Sequence, residues 1–195
     1  MGLRQLLRAT AARVVGQLPA SVQRDLALLR GERWRIRRDP SYLVERRDWQ
    51  EFFRRAFTAL KFNGIDGDYA EFGCAGGRTF SLAYHESRRI GWDGKLWAFD
   101  SFQGLPAQQG PEDSHPAWVE GTMRTDLERF QRLVKSHGVP RSAYEVVAGY
   151  YEETLAGDVS RPPTNVAIAY IDCDLYSSTM TVLRFLLPRL KHGMI

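Results

Sequence analysis

The chain is poor in cysteine and contains no long apolar run. Its 195 residues include only Cys74 and Cys173, too few for a disulfide framework, and no spacing of cysteine and histidine suggests a zinc site. No segment of about 18 consecutive apolar residues occurs, and the N-terminus lacks the apolar core of a secretory signal. These absences argue against a disulfide-rich secreted scaffold and a membrane-spanning helix, and they predict a cytoplasmic protein.

Two common nucleotide-binding motifs are also missing, although a glycine turn occupies residues 73–77. Counted from Gly73, a dinucleotide fingerprint requires glycines at the positions that Ala75 and Arg78 occupy, so an NAD site is disfavoured. No Gly-Lys-Ser/Thr follows at the spacing of a phosphate-binding loop. The turn therefore favours a cofactor without a pyrophosphate.

Three apolar segments that end in acidic residues or a glycine turn stand out in the rest of the sequence. They are EFGCAGGRT at 71–79, LWAFDSFQGLP at 96–106 and VAIAYIDCDLY at 166–176. Parallel strands of an open α/β sheet end in this way where they meet a ligand. We therefore predict a Rossmann-like, doubly wound, mostly parallel α/β sheet with flanking helices. The strands are expected near 68–72, 95–100, 144–149 and 166–172.

Asp100 ends the second predicted strand, 27 residues after Gly73. A carboxylate at this point can accept hydrogen bonds from both hydroxyls of a ribose. Ser101 and Phe102 follow, and an aromatic ring next to a ribose-binding acid is well placed to pack on adenine. A strand-end aspartate is also common as a turn former or helix cap, and the sequence leaves that alternative open.

In this order, EFGCAGG, FDSFQGLP and IDCDLY resemble the class I S-adenosylmethionine-dependent methyltransferases, and specifically the macrocin O-methyltransferase family. The resemblance covers roughly residues 60–195. It implies S-adenosyl-L-methionine as the cofactor, with Glu71 and Gly73 near its methionine end and Asp100 on its ribose. The full set of predicted cofactor contacts is Glu71, Gly73, Gly76, Gly77, Asp100, Ser101, Phe102, Gly149 and Tyr150, the last two beside the adenine.

Asp172 and Asp174 lie two residues apart at the end of the last predicted strand. Paired carboxylates suit Mg²⁺, which can polarise an acceptor hydroxyl, so both are candidate metal ligands and Asp172 is a candidate catalytic residue. Relatives that use a metal are expected to add an Asp-Asp pair after the following strand. The resemblance implies seven strands, and residues 191–195 resemble only the start of a fifth. We therefore expect a C-terminally incomplete sheet.

A long segment rich in proline, glycine and acidic residues, 103–121, is typical of a substrate loop or lid. His115 within it is a candidate general base or a group that orients the acceptor. A solvated loop histidine is the simpler alternative. Glu112, Asp113 and Trp118 are further candidates for contact with the acceptor.

Positive charge is concentrated in the N-terminal part of the chain. Residues 1–61 contain 14 Lys and Arg against 6 Asp and Glu, whereas 62–195 contain 13 against 17. We predict a basic helical extension over 1–60 and a partial cofactor-binding core over 61–195. Within the extension, an amphipathic face along residues 3–18 fits packing on the core, packing in a homo-oligomer, or peripheral contact with an anionic membrane. The chain has no recognised nucleic-acid motif, which disfavours a nucleic-acid partner.

Together these features predict an S-adenosylmethionine-dependent O-methyltransferase that modifies a hydroxyl of a small acceptor, such as a sugar or a glycosylated metabolite. Two alternatives remain. An NAD-type oxidoreductase would share the fold but lacks its fingerprint here. A non-catalytic interaction module, built on a truncated methyltransferase core, would also fit four strands.

Overall fold

The computed structural model describes residues 41–156 and 162–195, together with residues 5, 11, 13–18, 22, 23 and 26. About half of the predicted basic extension, including much of its amphipathic face, lies outside these residues. Contact of that face with a membrane or a second subunit therefore stays a prediction. Among the residues that are described, no helix is both long and apolar enough to cross a bilayer.

Four parallel strands form one sheet in the order β3-β2-β1-β4. They are β1 Asp68–Phe72, β2 Leu96–Asp100, β3 Tyr144–Ala148 and β4 Val166–Ile171. The predicted parallel α/β class is confirmed. Phe72, the last residue of β1, pairs with Phe99 of β2 and Ile171 of β4. The carboxyl ends of these strands are therefore almost level, which brings the segments that follow them to one edge of the sheet.

Helices cover both faces of the sheet. Within residues 41–156 and 162–195, the α-helices are α1 Tyr42–Phe62, α2 Arg78–Ile90, α3 Leu127–Ser136, α4 Tyr151–Thr154 and α5 Tyr176–Leu186. Short 3₁₀ helices occupy Pro111–Asp113, Arg141–Ala143 and Leu187–Arg189. The last of these begins directly after α5. It contains Pro188, which has no N–H group with which to continue the α-helix.

Each face of the sheet has its own apolar core, because alternate strand residues point to opposite faces. On one face, α1, α2 and α3 pack around Tyr69 of β1. The buried phenylalanines that these helices contribute are Phe53, Phe57, Phe80 and Phe130. On the other face, α5 packs Val182 and Phe185 near Phe72 and Phe99, whose rings stack with centroids 4.7 Å apart. This arrangement is the predicted doubly wound one.

The last residue, Ile195, pairs with the outer edge of β4. Its N–H donates to the carbonyl of Ala167 at 3.0 Å, and its carbonyl accepts from the N–H of Ala169 at 2.8 Å. This is the hydrogen-bond pattern of a parallel neighbour. Residues 191–195 therefore follow the path predicted for the start of a further strand.

Candidate active site

The glycine turn begins where β1 leaves the sheet. Gly73 has a φ of 90°, which residues with side chains rarely adopt, and its N–H donates to the carbonyl of Phe99 at 2.9 Å. A Cβ atom at this position would lie 2.3 Å from the carbonyl oxygen of Asp172. Glycine is therefore required here, because the turn passes directly against the segment that follows β4.

Asp100 holds this turn from the end of β2. Its Oδ2 accepts hydrogen bonds from the N–H groups of Cys74 and Ala75, at 2.8 and 3.0 Å, and its Oδ1 accepts one from Phe102 at 2.7 Å. Ala75 and Phe102 have positive φ angles of 40° and 55°, and these bonds stabilise both strained positions. These contacts fit the alternative in which Asp100 forms the turn. Ribose binding by the same carboxylate stays a prediction.

A cavity of about 280 Å³ lies beside the turn, at the carboxyl ends of the strands. We call it the acidic cavity because its four charged lining residues, Asp100, Glu152, Asp172 and Asp174, are all carboxylates. The other lining residues are Gly73, Ala75, Ser101, Gly104, Leu105, Pro106, Met123, Gly149, Tyr150, Tyr151, Cys173, Leu175 and Ser178. Predicted site residues that follow all four strands therefore meet around one cavity.

Several residues of the acidic cavity were not predicted from the sequence. Leu105 reaches it because its N–H and carbonyl pair with Thr122 and Gly121, at 3.0 and 2.9 Å, which closes the long loop at its base. The same closure brings Met123 to the cavity wall. Leu105 lies within the FDSFQGLP segment and could have been found there, whereas no local signal marks Met123.

Four predicted cofactor contacts lie outside the acidic cavity: Glu71, Gly76, Gly77 and Phe102. Gly76 lines a second cavity, described below. Gly77 packs against α3, where a Cβ atom would lie 2.5 Å from the side chain of Val134. Phe102 is 4% exposed, and its ring packs on Phe130 with centroids 5.3 Å apart. The predicted stacking of Phe102 on adenine therefore finds no support in its position, because the ring lies in the core under the turn.

Glu71 lies in β1 directly behind the glycine turn and is fully buried. Thr79 donates a hydrogen bond to its Oε1 at 2.6 Å, and the hydroxyl of Tyr69 donates to its Oε2. Burial raises the pKa of Glu71 to about 8; the two hydrogen bonds oppose this shift, and the charges of Asp172 and Asp100 add to it. The carboxyl is therefore mostly protonated at neutral pH. Its hydrogen bond with Thr79 links β1 to the start of α2, beside the glycine turn.

The buried carboxyl of Glu71 predicts a pH-dependent stability. Its pKa is about 8 in the folded chain against an ordinary 4.5, so between these values the unfolded chain releases a proton that the folded chain keeps. The contribution of protonated Glu71 to the free energy of unfolding is therefore fully present below the pKa of the unfolded chain. It falls as the pH rises towards the pKa of the folded chain, by at most about 1.4 kcal/mol per pH unit. Glu71→Gln has no carboxyl proton to release. Its free energy of unfolding, measured in urea, should therefore rise relative to that of the wild type as the pH increases from 4.5 to about 8. A stability difference that is constant with pH would contradict a neutral buried carboxyl.

Asp172 and Asp174 follow β4 and both line the acidic cavity. Burial raises the pKa of each carboxyl. For Asp172 the charge of Asp174 raises the pKa further, while Arg78 acts in the opposite direction. A carboxylate with a raised pKa is a better proton acceptor, so Asp172 is suited to take a proton from a bound hydroxyl.

His115 does not line this cavity. It lies exposed in the long loop, where its Nδ1 accepts from the N–H of Ala117 at 3.2 Å and its ring contacts Trp118 with centroids 4.7 Å apart. Asp113 from the same loop is buried and accepts from the N–H of Ser177 at 3.0 Å, which ties the loop to the start of α5. A catalytic role for His115 stays a prediction that no contact supports.

A second cavity, of about 500 Å³, lies on the other side of the glycine turn. We call it the basic cavity because Arg78, Arg124 and Arg129 line it, and Asp172 is the single acidic residue in the part of its lining that the structure describes. The other lining residues are Tyr42, Trp49, Gly73, Cys74, Ala75, Gly76, Thr79, Met123, Thr125, Leu133 and His137. Since Asp172 also lines the acidic cavity, the two cavities meet at this carboxylate.

The sequence profile of the macrocin-O-methyltransferase (TylF) family matches residues 39–195. The chain belongs to this family. The match includes β1 to β4 and α1 to α5, and it begins before α1. It therefore extends further towards the N-terminus than the three motifs do.

Two relatives of this macrocin-O-methyltransferase family member have named activities. The chain is 28% identical over 144 residues to the 8-demethyl-8-(2,3-dimethoxy-alpha-L-rhamnosyl)-tetracenomycin-C 4'-O-methyltransferase of Streptomyces olivaceus, covering 67% of this chain and 51% of the relative. It is also 28% identical over 151 residues to the mycinamicin III 3''-O-methyltransferase of Micromonospora griseorubida, covering 70% and 55%. The chain therefore spans about half the length of these relatives.

Solved structures show the same fold. The chain matches CalS11, a calicheamicin methyltransferase, with a TM-score of 0.67 at 18% identity, covering all of this chain and 77% of that one. It matches the O-methyltransferase NovP with a TM-score of 0.59 at 22% identity, covering 72% and 59%. At these identities the likeness establishes the fold of this family member.

The paired carboxylates of Asp172 and Asp174 predict a Mg²⁺ site. In the described part of the chain, no third His, Cys, Asp or Glu joins them in a group that could hold a metal ion. Mg²⁺ is usually held by one or two carboxylates, with waters and substrate oxygens completing six ligands. The pair therefore supplies at most part of a magnesium site.

Proposed function

We propose that this chain is an S-adenosylmethionine-dependent O-methyltransferase that acts on a hydroxyl of a small acceptor, such as the sugar of a glycosylated metabolite. Its membership of the macrocin-O-methyltransferase family supports the reaction. The names of both relatives describe O-methylation at primed positions, one of them on a rhamnosyl compound, which supports the acceptor class. The observation that carries the proposal is the acidic cavity beside a glycine turn at the carboxyl ends of the strands.

Electrostatics favour this cofactor in the acidic cavity. S-adenosylmethionine supplies a methyl group on a positively charged sulfur, which is already a good leaving group. Among the described residues, four carboxylates and no Lys, Arg or His line the cavity, so it attracts a cation and disfavours the phosphates of a dinucleotide. The backbone of Gly73 and Ala75 at its wall allows close approach, since neither carries a large side chain.

In the proposed reaction, this chain mainly positions the reactants. The acceptor oxygen attacks the methyl carbon in line, a C–O bond forms as the C–S bond breaks, and the hydroxyl proton passes to the Asp172 carboxylate. Asp172 lies where the two cavities meet, so it can reach an acceptor beside the cofactor. Asp174 next to it raises its pKa, which strengthens it as the base.

Magnesium is a separate part of the proposal, with Asp172 and Asp174 as its protein ligands. Bound there, the ion would favour the deprotonated form of an acceptor hydroxyl. Calorimetric titration of the chain with MgCl₂, compared with Asp174→Asn, tests this. Heat of binding in the wild type that the variant lacks would support the site, and no heat in the wild type would remove magnesium from the proposal.

The first test of the function is calorimetric titration of the chain with S-adenosylmethionine and S-adenosylhomocysteine. We expect both to bind in the micromolar range, about −8 kcal/mol. If a folded chain binds neither, the proposed function is wrong and the interaction-module interpretation takes its place.

Asp172→Asn tests the chemical step. The amide keeps the shape of the carboxylate but does not accept the proton, so we expect methyl transfer to fall by about 10²–10⁴-fold with little change in the affinity for S-adenosylhomocysteine. Transfer of a labelled methyl group to a panel of methyl glycosides measures the rate. An undiminished rate in the variant would show that Asp172 is not the base.

A further inference from the structure

We propose that Met123 contacts the cofactor at its sulfur and shields the methyl group there from water. The proposal rests on the proposed function, in which the cofactor lies against the backbone of Gly73 and Ala75 and Asp172 accepts the proton of the acceptor hydroxyl. Met123 is then the apolar neighbour of this base at the point of methyl transfer.

The acidic and basic cavities share a wall, to which the described residues Gly73, Ala75, Met123 and Asp172 contribute. Gly73 and Ala75 belong to the glycine turn and Asp172 follows β4, whereas Met123 comes from the segment between the long loop and α3. A general base must lie within hydrogen-bond reach of the hydroxyl that it deprotonates, so methyl transfer takes place next to Asp172. Met123 lines both cavities at this same boundary, and it is therefore placed to contact the reacting group.

The backbone holds Met123 in a conformation that residues with side chains rarely adopt. Its φ is 59°, and a non-glycine residue stays in this left-handed region only where the surrounding structure fixes it. The segment before Met123 is fixed by hydrogen bonds from the N–H groups of Gly121 and Leu105 to the carbonyls of Leu105 and Thr122, at 2.9 and 3.0 Å. A Cβ atom on Gly104 would lie 2.5 Å from the carbonyl oxygen of Thr122, so the two segments pack closely. Strained positions of this kind cluster at active sites and ligand-binding segments.

The side chain of Met123 is unbranched, apolar and 57% exposed. A single exposed apolar side chain is common on a protein surface and by itself indicates nothing. Met123, however, lies on a strained backbone at the edge of a cavity that four carboxylates line. A thioether is polarisable and adapts its shape to a ligand, so Met123 can cover the sulfur without adding a charge that repels the sulfonium.

Exclusion of water by Met123 has two chemical consequences. Water is a competing nucleophile for the methyl group, and an apolar cover keeps it away from the methyl carbon. Removal of water also strengthens the attraction between the Asp172 carboxylate and a positive charge beside it. Met123 therefore acts through contact with the cofactor, whereas Asp172 supplies the proton transfer.

Oxidation of the methionine side chains tests this contact without measuring activity. Hydrogen peroxide transfers one oxygen atom to an accessible thioether, which gives methionine sulfoxide and water, and mass spectrometry of peptides measures the rate at each methionine. With S-adenosylhomocysteine at about ten times its Kd, the oxidation of Met123 should slow by about tenfold, in proportion to the free fraction of the chain. Met194 packs in the core on the α5 face and lines neither cavity, so its oxidation rate should not change.

The outcomes of this experiment separate the role of Met123 from the proposed function. If calorimetry shows that S-adenosylhomocysteine binds, and Met123 is nevertheless oxidised at an unchanged rate, then Met123 does not contact the cofactor and the inference is wrong. If the folded chain binds no S-adenosylhomocysteine, the proposed function is wrong and the role of Met123 falls with it.

Variants of Met123 distinguish direct contact from a change in the long loop. Met123→Gln keeps the length of the side chain but makes it polar, so the affinity for S-adenosylhomocysteine should fall by about tenfold through loss of an apolar contact. Met123→Leu keeps the apolar cover and should retain the affinity of the wild type within about threefold. Thermal unfolding should be unchanged in both variants, because the side chain is exposed.

Val119→Ala is the matched control. Val119 is 56% exposed in the same loop and lines neither cavity, so its loss should leave the affinity for S-adenosylhomocysteine unchanged. Equal losses of affinity in Met123→Gln and Val119→Ala would show a general effect on the loop and would overturn the contact.

Discussion

Gly73→Ala is expected to destabilise the chain by roughly 3–5 kcal/mol, or to prevent folding. The added Cβ would lie 2.3 Å from the carbonyl oxygen of Asp172, and this neighbour is backbone that cannot rotate away. The φ of 90° adds strain for any residue with a side chain. The turn and the segment after β4 must then separate, which opens the wall that the two cavities share. Urea unfolding and cofactor titration measure the two effects.

Gly76→Ala is the matched control within the same turn. A Cβ atom there would meet only Leu133 at 3.8 Å, an ordinary contact, so we expect a change in stability within about 0.5 kcal/mol. Equal stability of the two alanine variants would contradict the close approach of the turn to Asp172.

Asp100→Ala is expected to weaken cofactor binding by at least about tenfold and to lower stability by at least about 3 kcal/mol. The carboxylate accepts three backbone N–H groups, and hydrogen bonds to a charged group contribute about 1.5–3 kcal/mol each, with less expected from the exposed Ala75 amide. Without these hydrogen bonds the glycine turn is no longer held in one conformation. The cofactor must then order the turn when it binds, and this cost weakens its affinity. Thermal unfolding and calorimetry with S-adenosylhomocysteine provide the measurements.

Asp68→Ala is the control that separates the loss of stability from the loss of cofactor affinity. Asp68 lies at the amino end of β1, where it accepts from the N–H of Lys95 at 3.0 Å and from Nε1 of Trp97 at 2.8 Å. Its loss should also lower stability, yet it lies at the opposite end of the strand from both cavities, so affinity for S-adenosylhomocysteine should be unchanged. If both variants lose affinity equally, the effect of Asp100 is merely one of stability.

The sheet was predictable because its strands are short apolar runs with chemically distinct ends. The residues that follow Phe72, Phe99 and Ile171 had to converge once these strands were taken as parallel neighbours. The sequence therefore predicts that Gly73, Asp100 and Asp172 lie around one cavity, and all three line the acidic cavity. Local pattern and tertiary position agree at these residues.

The basic cavity was not predictable in the same way. Arg78 is the first residue of α2, whereas Arg124 and His137 lie just before and just after α3. A charged residue on a helix usually faces solvent. Only the packing of α1, α2 and α3 on one face brings them together. The burial of the Phe102 ring was not predictable for a related reason, because the direction of the ring depends on a positive φ that the residue type does not indicate.

The strict alternation of β1 limits how the length of this chain can change. Tyr69 and Glu71 face α1 and α2, whereas Ala70 and Phe72 belong to the aromatic layer on the other face. Insertion of one residue within Asp68–Phe72 would turn the carboxyl of Glu71 into that layer, away from Thr79 and Tyr69, and would push phenylalanine against the polar pair. Evolution can therefore vary the long loop at 103–121 in length far more readily than the five residues of β1.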